Sequence, residues 1–153
     1  MLDGRHSKMK IALVCSNGGH LIEMINILNA VKGHEYFFIT LNGADTEKLK
    51  AYKLTKFKNN FLVQLNSFIH ALWIFIKERP KVMITTGGSF ALMFCYVAKL
   101  FRIKIIFIES ICRVTTKSWT GRLVYPISDM FIVQWPSLLD KYGKKAIYGG
   151  KII

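Results

Sequence analysis

The chain has 153 residues, 52% of them hydrophobic, with 22 Lys and Arg against 9 Asp and Glu, for a formal charge of +13. That length is one domain's worth, and so apolar a composition excludes intrinsic disorder. The charge favours polyanionic partners: nucleic acid, anionic lipid headgroups or diphosphate substrates.

Residues 1–8 are polar, lack the apolar core of a signal peptide, and read as a leader or tag-like segment before a single domain over 9–153. Lys10–Cys15 reads as a buried strand, ended by Ser16-Asn17-Gly18-Gly19. His20–Val31 has helical spacing at Leu21, Met24, Ile25 and Leu28. Tyr36–Leu41 is a second strand, and Thr46–Tyr52 reads as a charged helix. Phe61–Ile76 is a long apolar and aromatic helix that Pro80 terminates. Lys81–Thr85 is a third strand, followed by Thr86-Gly87-Gly88-Ser89 and an apolar helix over Phe90–Phe101. Lys104–Ile108 is another strand, Thr120–Ile127 a helix, and Asp129–Gln134 a further strand.

Continuous apolar strands alternating with helices imply a doubly wound α/β domain, a Rossmann-like parallel sheet covered on both faces. Ligands of such sheets bind at the carboxyl ends of the strands, where three loops carry polar or glycine-rich residues. In Ser16, Asn17, Gly18 and Gly19 the glycines let backbone approach an anion at a helix N-terminus. His20 beside them is a phosphate donor, a base, or a capping and packing residue. Gly87, Gly88 and Ser89 repeat the arrangement, and two such loops point to a diphosphate or sugar site. Glu109, emerging from an apolar strand, is a base or hydroxyl ligand, or else a salt-bridge partner of Arg113. Arg113, Lys117 and Arg122 are placed to neutralise phosphate.

G-x-G-x-x-G and G-x-x-x-x-G-K are both absent, so neither nicotinamide nor P-loop binding is indicated, and no cofactor is expected. Cys15, Cys95 and Cys112 have no C-x-x-C spacing; no metal site or disulfide framework is expected, and the thiols read as reduced, as in a cytoplasmic protein. The basic residues cluster at Lys48, Lys50, Lys53, Lys56 and Lys58, at Lys99, Arg102 and Lys104, and at Lys141, Lys144, Lys145 and Lys151. Without a helix-turn-helix, zinc or RNP-like signature, and interleaved with apolar helices, they fit a membrane surface better than nucleic acid. Phe61–Ile76 is too short and interrupted for a membrane span. It reads as an interfacial helix with Phe61, Phe68, Trp73 and Phe75 reaching lipid, or else as a core helix.

Ser16–Glu23 (SNGGHLIE), Ile84–Gly88 (ITTGG), Glu109–Val114 (ESICRV), Ser118–Pro136 and Tyr148–Gly150 (YGG) occur in the order found in the Alg-fourteen family. The chain resembles that family from Met9 onward. The family includes the PssD-type proteins of capsule and exopolysaccharide synthesis. The resemblance implies the acceptor-side lobe of a GT-B glycosyltransferase divided between two polypeptides, comparable to the N-terminal lobe of MurG. A second subunit of Alg-thirteen or PssE type would hold the UDP-sugar. This subunit would hold a polyprenyl-diphosphate-linked acceptor at the cytoplasmic face of the membrane, for lipid-linked oligosaccharide or capsular polysaccharide synthesis. Gly18, Gly19 and His20 would match the acceptor-diphosphate loop, Gly87 and Gly88 the second glycine loop, and Glu109 the acid after the strand. The length agrees, because a two-lobed enzyme needs about twice this chain. A non-catalytic membrane scaffold or activator of a glycosyltransferase is the alternative.

Overall fold

The computed structural model describes residues 8–55 and 61–152, without the side chains of 61–67. Lys56, Lys58, the Phe61 side chain and most of the leader segment lie outside the described residues. Among the described residues seven strands form one sheet: β1 (Lys10–Cys15), β2 (Glu35–Leu41), β3 (Ala51–Leu54), β4 (Val82–Gly87), β5 (Lys104–Ile108), β6 (Met130–Val133) and β7 (Ala146–Tyr148). The helices are α1 (Gly19–Asn26), α2 (Phe61–Glu78), α3 (Ala91–Leu100), α4 (Trp119–Val124) and α5 (Leu139–Tyr142). The strand order is β3-β2-β1-β4-β5-β6-β7, and each pairing is parallel.

Alternation along β1 divides the core. Ala12 and Val14 face the layer built on α2 and α3, whereas Ile11, Leu13 and Cys15 face α1. Because β2 and β3 are laid down on one side of β1 and β4 to β7 on the other, the chain reverses direction between β1 and β4. That junction is the sheet's topological switch point.

Two expected elements come out differently. Residues expected as a charged helix over Thr46–Tyr52 instead close a short 3-10 turn (Ala44–Thr46), pass through a turn over 47–50 and enter β3. The edge strand pairs Phe38 with Ala51 and Leu41 with Leu54, and these pairings outweigh the helical preference of Ala51 and Lys53. The second concerns α2, which carries large apolar residues on its exposed face as well as its buried one, so its inward face is chosen by packing. Phe75 is in the core at 2% exposure, set edge-on to Phe94 at 5.8 Å. It cannot reach lipid, since burying a phenylalanine stabilises by about 2–3 kcal/mol. Phe68 is half-buried against the same core. Trp73 does face outward, at 51% exposure, with the Lys77 ammonium 4.7 Å from its ring centre.

Cys15 and Cys95 are buried free thiols, and burial pushes Cys15 up to about 12. Both helices that lead down the sheet, α2 and α3, end on an arginine with left-handed backbone: Arg79 (φ 48°) and Arg102 (φ 56°). At the end of α3 the Ile103 N–H donates to Ala98 O and Arg102 N–H to Lys99 O, a paired closure that favours glycine at the Arg102 position. A side chain there costs roughly 1 kcal/mol. Arg102→Gly is therefore expected to raise the melting temperature by roughly 2–4 °C; a thermal melt showing a decrease would contradict it.

Candidate functional site

At the switch point, the loops after β1 and β4 interlock. Gly18 caps α1 with φ 77°, and its carbonyl accepts from Leu21 and Ile22 N–H. Its own N–H donates to Asp45 Oδ2 at 2.6 Å, and the Asn17 amide lies so close over Gly43 that a Cβ there would stand 2.5 Å away. Asn17 and Gly18 are thereby turned toward the loop after β2. Across the junction, Gly87 and Gly88 have φ of 102° and 96°, which only glycine adopts without strain. A Cβ on Gly88 would lie 2.8 Å from Ser16 Oγ, and one on Gly87 would lie 3.3 Å from His20 Cε1. The Thr86 hydroxyl donates to His20 O at 2.8 Å, so β4 holds the start of α1 by its backbone.

Beside this junction lies a cleft of about 700 Å³, bounded by the start of α1, the start of α3, the loop after β5 and the start of α4. Of the residues singled out from sequence, Gly19, His20, Gly88, Ser89, Glu109 and Arg113 line it. Ser16, Asn17, Gly18 and Gly87 stand behind it as framework. Two helix N-termini, those of α1 and α3, meet at the cleft and supply partial positive charge. His20 Nδ1 is buried with no hydrogen-bond partner among the described residues. Ile22 and Trp119 are exposed at the cleft, at 61% and 62%, and make its mouth apolar.

Glu109 is 1% exposed, and its carboxylate is engaged on every side. Oε1 accepts from Ser110 N–H at 3.0 Å; Oε2 accepts from Ser118 N–H at 3.2 Å, from Ser118 Oγ at 2.9 Å and from the Tyr142 hydroxyl. Burial, and next the Glu109 carboxylate, hold the Tyr142 phenol above its ordinary value. Glu109 thus ties β5 to α4 and α5. The salt bridge to Arg113 is not formed among the described residues, and the exposed Arg113 side chain lies in the wall of the cleft.

The sequence pattern alone gives Glu23 no role. It is 5% exposed on α1, and its Oε1 accepts from Ser110 Oγ and Ile111 N–H, both at 3.0 Å. Gln134 joins the same clamp: Nε2 donates to Glu109 O at 3.0 Å, and Oε1 accepts from Ile152 N–H at 2.7 Å. Trp135 Nε1 donates to Ile111 O at 2.7 Å. The loop after β5 is held rigid from three sides. One signal pointed to Glu23: it is the single charged residue between Gly18 and Lys32 apart from His20, one helical turn before it. Both wall carboxylates are engaged internally, so the groups left to meet a ligand include His20, Asn26, Arg113, Ser89 and the loop N–H groups. Such a set suits an anionic, hydroxyl-bearing ligand. Among the described residues no cluster of His, Cys, Asp or Glu could hold a metal ion.

Solved structures with this architecture include MurG from Acinetobacter baumannii (TM-score 0.75, 12% identity, 91% of this chain and 45% of that one). Another is the UDP-GlcNAc 2-epimerase from Methanocaldococcus jannaschii (TM-score 0.70, 18% identity, 92% and 45%). The chain spans about half the length of these proteins, and the likeness is one of fold. The described residues form one Rossmann-like lobe with the fold of one half of such GT-B proteins.

The family described as "Oligosaccharide biosynthesis protein Alg14 like" matches residues 57–152. Curated relatives include proteins named UDP-N-acetylglucosamine transferase subunit ALG14. That of Yarrowia lipolytica is 27% identical over 95% of this chain and 82% of its own length, and that of Homo sapiens 26% over 95% and 83%. The relative from Debaryomyces hansenii is 30% identical over 91% and 75%. The chain belongs to the Alg14 family.

Proposed function

We propose that this chain is the acceptor-side subunit of a two-component glycosyltransferase. It would hold a polyprenyl-diphosphate-linked sugar at the cytoplasmic face of a membrane and present its hydroxyl to a UDP-sugar held by a partner of Alg-thirteen or PssE type. The relatives' name makes UDP-N-acetylglucosamine the first donor to test. The observation that carries the reading is the cleft at the switch point, where two helix N-termini, His20 and Arg113 converge with no free carboxylate. The diphosphate would lie at Gly19, Gly88 and Ser89, with Arg113 closing over it. His20 would take the hydroxyl proton, and Glu109 would position the wall rather than act as base. Among the described residues no helix is long and apolar enough to cross a membrane. The exposed face of α2 around Ile69, Trp73 and Ile76 would make contact with the bilayer surface.

The test is reconstitution on vesicles containing a polyprenyl-diphosphate acceptor and labelled UDP-N-acetylglucosamine. Transfer is expected only when this chain and its partner are present together. A partner that transfers at the full rate alone would leave this chain as the non-catalytic scaffold and defeat the proposal.

A further inference from the structure

Helices α2 and α3 are neighbours on one side of the sheet, and both turn apolar residues to solvent. Ile69, Trp73 and Ile76 are exposed along α2, and Tyr96 and Leu100 along α3. Where these helices end, at the pole of the sheet opposite the cleft, there is a second pocket of about 520 Å³. Its charged lining is Arg79, Lys81 and Arg102, and its outer wall includes Ile76 and Phe101, 57% and 40% exposed. No carboxylate lines it among the described residues. The nearest acid in sequence, Glu78, is turned away to the Lys10 ammonium at 2.5 Å and to the Tyr52 hydroxyl. None of the three cations has an ion-pair partner among the described residues. A helix C-terminus attracts cations, which explains the sign of Arg79 and Arg102. It explains neither the position of both on left-handed backbone that favours glycine nor the apolar surface around them.

We propose that this pocket binds the phosphate of an anionic phospholipid headgroup, with Ile76, Leu100 and Phe101 lying against the acyl boundary. Three unpaired cations select an anion, and the apolar rim selects one that carries hydrocarbon. The inference rests on the membrane reading above and locates it. α3 runs from the cleft at Gly88 and Ser89 to the pocket at Arg102, and its ten residues span about 15 Å. A headgroup held at Arg79 and Arg102 would therefore lay α2 and α3 along the surface.

The experiment is flotation of the full chain with vesicles of phosphatidylcholine, alone or doped with phosphatidylglycerol. Wild type is expected to prefer the doped vesicles by about tenfold or more. Arg79→Gly/Arg102→Gly suits the left-handed backbone, so it should fold at least as well as wild type by thermal melt. It is expected to lose about tenfold of that preference while binding plain vesicles unchanged. Lys141→Gln/Lys144→Gln removes the same charge elsewhere and is expected to keep most of the preference. Equal losses in the two double variants, or none in the arginine pair, would overturn the pocket and leave the membrane reading standing. Release of wild type by millimolar inorganic phosphate would identify a soluble-anion site and overturn the lipid assignment. Failure of wild type to float with either vesicle would overturn both this inference and the membrane reading; loss of all flotation in Trp73→Ser would support the latter independently.

Discussion

Replacing His20 with alanine is expected to lower sugar transfer by the reconstituted pair about 10²- to 10⁴-fold, the range typical of a lost general base. The fold should barely register the change. The backbone of His20 is held by the Thr86 hydroxyl on its carbonyl, and α1 begins from Gly18, whose glycine conformation is independent of the neighbouring side chain. Alanine is also the better helix former. What is removed is an imidazole whose Nδ1 has no partner among the described residues. His20→Gln separates the roles, because glutamine keeps a donor and loses the base. Recovery of most activity in His20→Gln would make His20 a phosphate donor. Transfer by His20→Ala above roughly a tenth of wild type would exclude a proton-transfer role.

The largest loss of stability is expected at Gly121, a position with no chemistry of its own. A Cβ there would press on the Tyr142 hydroxyl and stand 2.6 Å from Glu109 Oε2 and 2.7 Å from Ser118 Oγ. Those atoms are the hydrogen-bonded knot that joins β5, α4 and α5. Overpacking costs about 1–3 kcal/mol, and a buried donor pushed off its acceptor costs about 1–3 kcal/mol more. Against this, alanine improves helix propensity by at most about 1 kcal/mol, so the steric and polar losses win. Gly121→Ala should therefore destabilise by about 3 kcal/mol and lower the melting temperature by roughly 6–12 °C. A melt within a degree or so of wild type would show that the knot tolerates displacement.

Much of the fold was legible because the central strands are unbroken apolar runs. β1 and β5 occupy the expected residues, Lys10–Cys15 and Lys104–Ile108, and β2, β4 and β6 differ by one or two residues at their ends. The strand-glycine-glycine-helix pattern also located two sides of the cleft, since a sharp turn into a helix at a strand's carboxyl end needs positive φ at Gly18, Gly87 and Gly88. β3 and β7 were not legible. Each is an edge strand, short and half-exposed, made by its neighbour's hydrogen bonds rather than by its own pattern.

Local sequence thus determined a parallel α/β lobe, its glycine loops and its membership of a family, because these rest on period, backbone permissiveness and motif order within a few residues. The tertiary structure decided what each charged and aromatic side chain does. Glu23 and Glu109 became clamps because donors from Ser110, Ile111, Ser118 and Tyr142, distant from Glu23 in sequence, converge on their buried carboxylates. Phe75 became core and Trp73 surface because large apolar residues lie on both faces of α2, so what packs against the helix selects the inward one. Arg79 and Arg102, 23 residues apart in sequence, line one pocket because parallel strands return successive helices to the same pole of the sheet.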